Sequence, residues 1–231
     1  MTMRAGEVYE HPFERLVVRV GTAESDGREL VADLYVRADA PGVPRHVHPA
    51  LEETLTVIRG KVSAWTPDQG ERILGPGETL RVPPNTKHGW RPVGDEDVRV
   101  LVAARPGARF EEMWRQFMGL LQDGKAGPKG PGFLQIMMMA HEFSDVMAMA
   151  GPPLFLQRAV AALVTPIGRL SGYRGRYEEY LTRGPSTIVE PEPLPDVESE
   201  QKHVFAHEAI ERRDRDASHS MTLSTPRRPE E

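Results

Sequence analysis

Four side chains of metal-ligating type stand at spacings that suit a single site. His46 and His48 are separated by one residue, Glu53 follows shortly after, and His88 comes later in the chain. Three imidazoles and one carboxylate suit a borderline divalent cation such as iron, manganese, nickel, copper, cobalt or zinc. We therefore predict one divalent metal ion bound by His46, His48, Glu53 and His88, and the pattern leaves the identity of the metal open.

The chain around these residues must bring the ligands onto one face. Alternate residues of a strand share a face, so His46 and His48 can both point into a barrel interior. Glu53 lies at an odd spacing from His48, but Pro49 is typical of a strand end, after which the chain can restart in a new phase. The segment 53–58 alternates apolar with polar residues, which predicts an inward Glu53. Glu52 is the rival carboxylate.

Short β-rich runs separated by turn residues continue from about residue 14 to 105, a pattern typical of an antiparallel sandwich or barrel. One face of 29–37 should be core, because Leu30, Ala32, Leu34 and Val36 alternate with Asp33 and Tyr35. The predicted strands are 15–20, 29–37, 44–48, 53–58, 61–66, 72–74, 78–82, 87–92 and 98–103. Periodicity alone predicts a mainly β domain.

The two ligand segments resemble the paired motifs of the cupin superfamily. The residues that match are His46, His48, Glu53 and Gly60 in the first motif, and Gly77, Pro83, Asn85, His88 and Pro92 in the second. The resemblance implies a small cupin with a type-2 conserved barrel, that is, a jelly-roll antiparallel β-sandwich. It also favours Glu53 over Glu52, because six residues separate Glu53 from Gly60, which is the spacing of the first cupin motif.

Three positions depart from the cupin pattern without removing a ligand. Ala40 stands where the first motif often opens with Gly, and Gly42 nearby can supply the same backbone freedom. Asn85 replaces a turn Gly, and Asn is among the residues that tolerate positive φ. Pro92 replaces the closing Asn and cannot make the inter-strand hydrogen bond expected of that residue.

After the β region the pattern changes to helical spacing, which predicts a C-terminal helical extension of about three α-helices. These helices span about 110–121, 133–149 and 154–170, and the predicted divisions are a cupin β-barrel at 1–106, the extension at 107–182 and a disordered tail at 183–231. The Met-rich second helix is either core packing, which we favour, or an adaptable surface for a ligand. The tail has a possible short helix near 199–213, whose His203 and His207 are too few for a metal site.

Composition narrows the classes of function and partner. Of 231 residues, 39% are hydrophobic and the net charge is -5, so no general basic excess favours nucleic acid. The absence of cysteine excludes disulfides and thiolate ligands. The segment 154–170 is too short and polar for an integral membrane segment, and the first residues lack an apolar signal region, so we expect a cytoplasmic protein. The resemblance to cupins implies a homodimer.

The ligand set allows two classes of function. Four protein ligands on a six-coordinate ion leave room for substrate, which favours an enzyme of oxygenase, cyclase or isomerase type acting on a small oxygenated apolar or aromatic metabolite. Glu53 is the candidate catalytic carboxylate. Trp90 shares the inward face of His88 and is either a pocket wall or core, whereas Arg45 and Lys87 should face away. The alternative is a non-catalytic cupin that binds or stores a small molecule.

Overall fold

The structure, a computed structural model, describes residues 2–127 and 130–195. All nine predicted strands are present, with ends within two residues of those predicted. An additional first strand, Glu7–His11, precedes the predicted β region. The strands are β1 Glu7–His11, β2 Glu14–Val20, β3 Leu30–Val36, β4 Val43–Val47, β5 Glu52–Arg59, β6 Val62–Thr66, β7 Gly70–Leu74, β8 Thr79–Val82, β9 Lys87–Pro92 and β10 Val98–Arg105.

These strands form the two facing antiparallel sheets of a jelly roll, as predicted. Two short strands extend their edges, β13 at Ala148–Met149 and β14 at Thr187–Ile188. The larger sheet has the order β14, β1, β2, β3, β10, β5, β8, and the smaller has the order β13, β4, β9, β6, β7. The edge strands show that the chain beyond residue 106 returns to both sheets.

The core lies between the two sheets and contains the face predicted for β3, namely Leu30, Ala32, Leu34 and Val36. The opposite face of β3 is only partly exposed to solvent. Asp33 is fully buried there and forms ion pairs with Arg19 at 2.6 Å and Arg99 at 3.1 Å. A buried carboxylate needs such partners because water no longer compensates its charge.

The helical extension contains the three expected helices, and the described chain has two further short ones. The helices are α1 Thr22–Ser25, α2 Ala108–Gln122, α3 Phe133–Glu142, α4 Leu154–Leu170 and α5 Glu178–Thr182. The prediction of one helix over 133–149 was wrong at its C-terminal end. The chain turns after Glu142, and β13 pairs with β4, so the backbone of this segment finds its hydrogen bonds in the barrel sheet rather than in a longer helix.

Two segments near the helices bear on other predictions. Between α2 and α3, two short strands, β11 Ala126–Gly127 and β12 Gly130–Pro131, pair antiparallel. The predicted tail begins with ordered chain, since Thr187 and Ile188 pair with β1. The possible helix at 199–213 and the pair His203 and His207 lie outside the described residues, and the disorder of the tail stays a prediction.

A buried polar network joins α2 to the N-terminal part of the barrel. The carboxylate of Glu111 accepts hydrogen bonds from the Met3 backbone N–H at 2.9 Å, from the Thr22 hydroxyl and from Arg115 at 3.0 Å. The guanidinium of Arg115 also donates to the Tyr9 hydroxyl at 3.0 Å. Glu111 and Arg115 are both buried, so this network fixes α2 against the barrel.

Helix α4 exposes an apolar stripe. Its small residues Ala161, Thr165 and Gly168 are buried, and α4 packs on α3. The apolar stripe of α4 consists of Phe155, Leu163, Ile167 and Leu170, each more than half exposed. No helix in the described part of the chain has the length and apolar character needed to cross a bilayer.

Candidate metal centre

Three strands and one turn bring the four predicted ligands together. His46 lies on β4, Glu53 on β5 and His88 on β9, and His48 follows directly after β4. The register of the smaller sheet places His46 opposite His88. One donor atom from each residue lies within 4.8 Å of the others, and all four residues are buried.

The turn at Pro49 settles which carboxylate faces the histidines. β4 ends at Val47 and β5 begins at Glu52. Because the two strands are separate, Glu53 can point inward despite its odd spacing from His48. The Glu53 carboxylate lies 2.7 Å from Nε2 of His88 and 3.5 Å from Nε2 of His48. Glu52 points outward and pairs with Arg81 at 2.9 Å. The structure thus groups Glu53, and not Glu52, with the histidines.

The turn before β9 fixes the position of His88. Asn85 has a positive φ of 64°, as the sequence led us to expect for this substitute of glycine. Its backbone N–H donates to the carbonyl oxygen of His48 at 2.7 Å. This bond ties the second ligand segment directly to the first. Gly42 also has a positive φ of 71°, in agreement with the freedom expected near Ala40.

Each histidine ring is oriented by a backbone carbonyl at its outer nitrogen. Nδ1 of His46 lies 2.8 Å from the oxygen of Pro44, and Nδ1 of His88 lies 3.0 Å from the oxygen of Thr86. Nδ1 of His48 lies 2.8 Å from the oxygen of Val146. A carbonyl oxygen only accepts hydrogen bonds, so each Nδ1 carries the hydrogen, and Nε2 is left as the donor atom toward the centre.

Two of the Nε2 atoms that face the centre are too close together for two neutral histidine rings with nothing between them. Nε2 of His46 lies 3.1 Å from Nε2 of His48. With hydrogen on both Nδ1 atoms, two lone pairs face each other at this distance and repel. A cation between them, either a proton or a metal ion, removes the repulsion. The distance fits a metal ion, because two adjacent donors with bonds near 2.1 Å to one ion lie about 3 Å apart.

Burial and mutual contact set the charges of the centre. Burial lowers the pKa of His46 to about 4, and the neighbouring His88 acts in the same direction. Burial acts to raise the pKa of Glu53, but hydrogen bonds from His48 and His88 hold it below the usual range. Burial opposes the charged form of His88, yet the bond to Glu53 raises its pKa. His46 is therefore neutral at neutral pH, and Glu53 is ionised.

A comparison with protein families identifies the segment that holds all four residues. Residues 35–104 match the cupin domain family. The chain contains a cupin domain. The matched segment covers β4 to β9 and most of β10, so the predicted cupin barrel is confirmed. The helical extension lies outside the matched segment.

Solved structures similar to this cupin domain share low sequence identity with it. A protein with a double-stranded beta-helix domain from Klebsiella pneumoniae is 21% identical, with 42% of this chain and 76% of that chain covered and a TM-score of 0.36. The polyketide cyclase RemF from Streptomyces resistomycificus is 24% identical, with 45% and 69% covered and a TM-score of 0.36.

The DMSP lyase DddQ from Ruegeria pomeroyi is 26% identical, with 34% of this chain and 39% of that chain covered and a TM-score of 0.31. No similar sequence was found among curated proteins.

The helical extension supplies two neighbours of the cupin centre that the sequence did not reveal. The first is the Val146 carbonyl, which accepts from His48. The second is Phe110 on α2, whose ring lies edge-on to the His48 ring at 5.7 Å between centroids. Phe110 is the first residue of the helix predicted over 110–121, but its spacing carried no signal that it would reach a histidine. The extension therefore helps to enclose the centre.

The remaining candidate residues follow the predicted alternation. Trp90 is buried in the core on the inward face of β9. This position agrees with both predicted roles, a pocket wall and a core residue. Arg45, Arg59 and Lys87 are exposed. The guanidinium of Arg45 stacks over the Trp65 ring at 3.9 Å, on the outer side of the sheet. Among the described residues, the cationic neighbours of the ligand segments point away from the centre.

Metal affinity of the cupin centre should depend on pH in a defined direction. The pKa of His88 lies above its ordinary value of 6.5, so at pH 6 a proton occupies the His88 nitrogen that faces Glu53. A metal ion must displace that proton, and we expect Zn²⁺ affinity to fall about tenfold for each pH unit below this pKa and to level off above it. Competition with a chromophoric chelator, corrected for chelator protonation, measures this dependence. An affinity that stays constant on acidification would contradict the assignment.

Proposed function

We propose that this protein binds one divalent metal ion through His46, His48, Glu53 and His88 and acts as an enzyme on a small oxygenated metabolite of apolar or aromatic character. The main support for this proposal is that three Nε2 atoms and one ionised carboxylate converge on one point, while a backbone carbonyl holds each Nδ1. Such outer hydrogen bonds orient metal-ligating histidines in metalloproteins.

A bound divalent ion would supply Lewis acidity or, if redox-active, dioxygen chemistry of the oxygenase type. The protein residues prepare the centre in three ways. Glu53 supplies the negative charge that offsets the cation, and we propose it as the catalytic carboxylate. The carbonyls of Pro44, Thr86 and Val146 keep the rings in one tautomer. Phe110 and the segment around Val146 restrict water near His48.

We also propose Trp90 as an apolar wall for the substrate. Trp90 follows His88 by two residues on β9 and shares its inward face. Its ring packs in the same core as the residues around the centre. A large apolar surface beside the ligands favours a planar or apolar substrate over a charged one.

The burial of the ligands favours one alternative, a cupin that binds or stores a small molecule without catalysis. His46, His48 and His88 are at most 2% exposed, and Glu53 is 7% exposed. An enzyme needs a path by which substrate reaches the ion, whereas a storage or structural site can remain closed. The exchange of water at the centre distinguishes the two functions.

Water-proton relaxation of the Mn²⁺-loaded protein measures that exchange. The enzyme proposal predicts one bound Mn²⁺ with a rapidly exchanging water ligand, and hence a relaxation rate well above that of a closed Mn²⁺ site. The variant Glu53→Gln, measured in parallel, should lose most of the bound ion. One equivalent of bound Mn²⁺ without relaxation enhancement would favour the closed, non-catalytic alternative.

A homodimer formed through the apolar stripe of α4 is part of the proposal. Large exposed apolar surfaces on monomeric proteins are uncommon and mark interaction sites. The side of α4 opposite the stripe packs on α3, whereas an interfacial membrane helix turns that side to water, and we propose a second copy of this chain as the partner. Two-fold symmetry would place the same stripe on both sides of the interface. The cytoplasmic location stays a prediction.

Sedimentation velocity tests the dimer. We expect the wild type to sediment as a dimer and Leu163→Glu to sediment as a monomer, because the substitution places a carboxylate in the middle of the stripe. Ile73→Glu is the matched control, since Ile73 is also about half exposed but lies on β7. A monomeric wild type, or a dimer that survives Leu163→Glu, would show that the stripe is not the interface.

A further inference from the structure

The helical extension forms an apolar chamber, open to solvent on one side, that the cupin domain does not account for. Its volume is about 340 Å³, near the lower end of the range of roughly 300–1,000 Å³ for small-molecule sites. Helices α2, α3 and α4 and the segment 143–149 form its walls. Characteristic lining residues are Met113, Ile136, Met139, Phe143, Met147 and Val160.

The chemistry of the lining defines the kind of ligand that fits. Among the described residues that line the chamber, none is charged. Its amide side chain, Gln157, is already engaged by backbone, since it accepts from the Met149 N–H at 3.0 Å and donates to the Pro152 carbonyl at 2.6 Å. A charged ligand would lose its hydration there without finding a partner, so the chamber suits an uncharged apolar molecule.

The methionine content of the lining favours ligand binding over rigid packing. Methionine side chains are flexible and polarisable, so several of them can adapt to an apolar guest. Met113, Met139 and Met147 approach the chamber from three different segments of the chain. For the Met-rich second helix, the sequence favoured core packing over an adaptable surface for a ligand. Met138 and Met139 are buried, while the chamber remains beside them.

The chamber and the metal centre share a wall. The Val146 carbonyl accepts from His48, and the next residues, Met147 and Ala148, line the chamber. The strand β13 that follows pairs with β4, the strand that carries His46. A second connection runs along α2, where Phe110 contacts the His48 ring and Met113, one turn later, lines the chamber. A molecule in the chamber would therefore lie directly behind the residues that hold His48.

We propose that this chamber binds an uncharged apolar small molecule, and that in the enzyme proposed above its occupancy influences the orientation of His48 through the shared wall at Val146. The first part follows from the size and chemistry of the lining, and the second part rests on the proposed function. The chamber ligand is thus a hydrocarbon-like or aromatic molecule.

Binding of the uncharged fluorescent amine N-phenyl-1-naphthylamine to the full chain tests the chamber. We expect saturable binding at one site per chain. Ala140→Phe adds bulk to a residue of the lining, and we expect it to weaken binding by at least about tenfold. Ala5→Phe is the matched control, because Ala5 is exposed and lies outside both the lining and α4, and its affinity should equal that of the wild type.

Methionine methyl NMR locates the bound dye even where a variant folds poorly. In wild-type protein labelled at the methionine methyls, we expect the resonances of Met113, Met139 and Met147 to shift as dye is added. Met3 and Met118 are buried outside the lining and should not shift. Absence of saturable binding, or shifts confined to methionines outside the chamber, would overturn the proposal.

Metal titration of the same samples separates this inference from the proposed function. Ala140→Phe should bind Zn²⁺ like the wild type, since Ala140 is not among the residues that touch the centre. Dye binding in a protein that binds no metal would keep the chamber as an apolar ligand site and reject its role in the metal-dependent reaction. Metal binding without dye binding would reject the chamber as a ligand site but would not contradict the metal centre.

Discussion

Replacing His88 with alanine should lower the affinity of the protein for Zn²⁺ by at least about a hundredfold. Loss of a group that merely supports a metal ligand costs about 10–100-fold in affinity, and His88 is itself one of the four converging groups. Its removal also leaves the Glu53 carboxylate without its hydrogen-bond partner at 2.7 Å. A competition titration against a chelator of known affinity measures the change.

His141→Ala is the matched control for this experiment. His141 is exposed on α3, outside the group of four, so its removal should leave Zn²⁺ affinity unchanged. A thermal unfolding series provides a second readout, because a ligand that binds only the folded state raises the unfolding temperature. Zn²⁺ should raise the unfolding temperature of the wild type and of His141→Ala, but not of His88→Ala. Equal stabilisation of all three proteins would place the bound ion elsewhere.

Glu111→Ala should be the most destabilising single substitution outside the metal centre, with a loss of about 3–5 kcal/mol in the free energy of unfolding. The substitution leaves the buried guanidinium of Arg115 without its carboxylate at 3.0 Å. It also removes the acceptor of the Met3 backbone N–H and of the Thr22 hydroxyl. Urea-induced unfolding followed by circular dichroism measures the loss.

The neighbouring residue on α2 supplies the control. Glu112 forms an ion pair with Arg109, but both side chains are at least one-third exposed. Glu112→Ala should therefore cost less than about 1 kcal/mol, as is usual for a surface pair. Similar effects of Glu111→Ala and Glu112→Ala would mean that the buried network does not hold α2 on the barrel.

The parts of the site that the sequence predicted depend on short stretches of chain. The alternation of β4, the strand end at Pro49 and the restart at Glu53 are local features, and they place three ligands on one side. Asn85 could replace glycine because both tolerate positive φ, which the structure shows at this residue. Only the cupin resemblance predicted that His88 lies with the other three ligands. Local pattern could not predict this, because His88 is on a separate strand.

The features that the sequence missed depend on contacts between distant segments. The bond between His48 and Val146 joins residues 98 positions apart. Hydrophobic spacing indicated that α2 has an apolar side, but it could not show that Phe110 would meet a histidine ring. Likewise, strand alternation placed Asp33 on the outer face of β3, and only the folded sheet shows Arg19 and Arg99 converging on it.

The error at the end of α3 has the same origin. Apolar residues continue from α3 to Met149, so the spacing predicted one long helix. The chain instead leaves the helix after Glu142 and joins the edge of the smaller sheet, where Met149 pairs with His46. Tertiary pairing outweighed helical propensity here, because the sheet edge offered backbone partners. This departure from helix is what brings the Val146 carbonyl to the metal centre.

The metal content of protein purified without metal-affinity chromatography tests the central claim most directly. Elemental analysis should find about one equivalent of a divalent transition metal in the wild type and almost none in Glu53→Ala. Glu52→Ala is the decisive control, because that adjacent carboxylate pairs with Arg81 instead of the histidines, and its metal content should match that of the wild type. A wild type that contains no metal even after supplementation, or a Glu53→Ala variant that retains the full equivalent, would contradict the four-ligand centre.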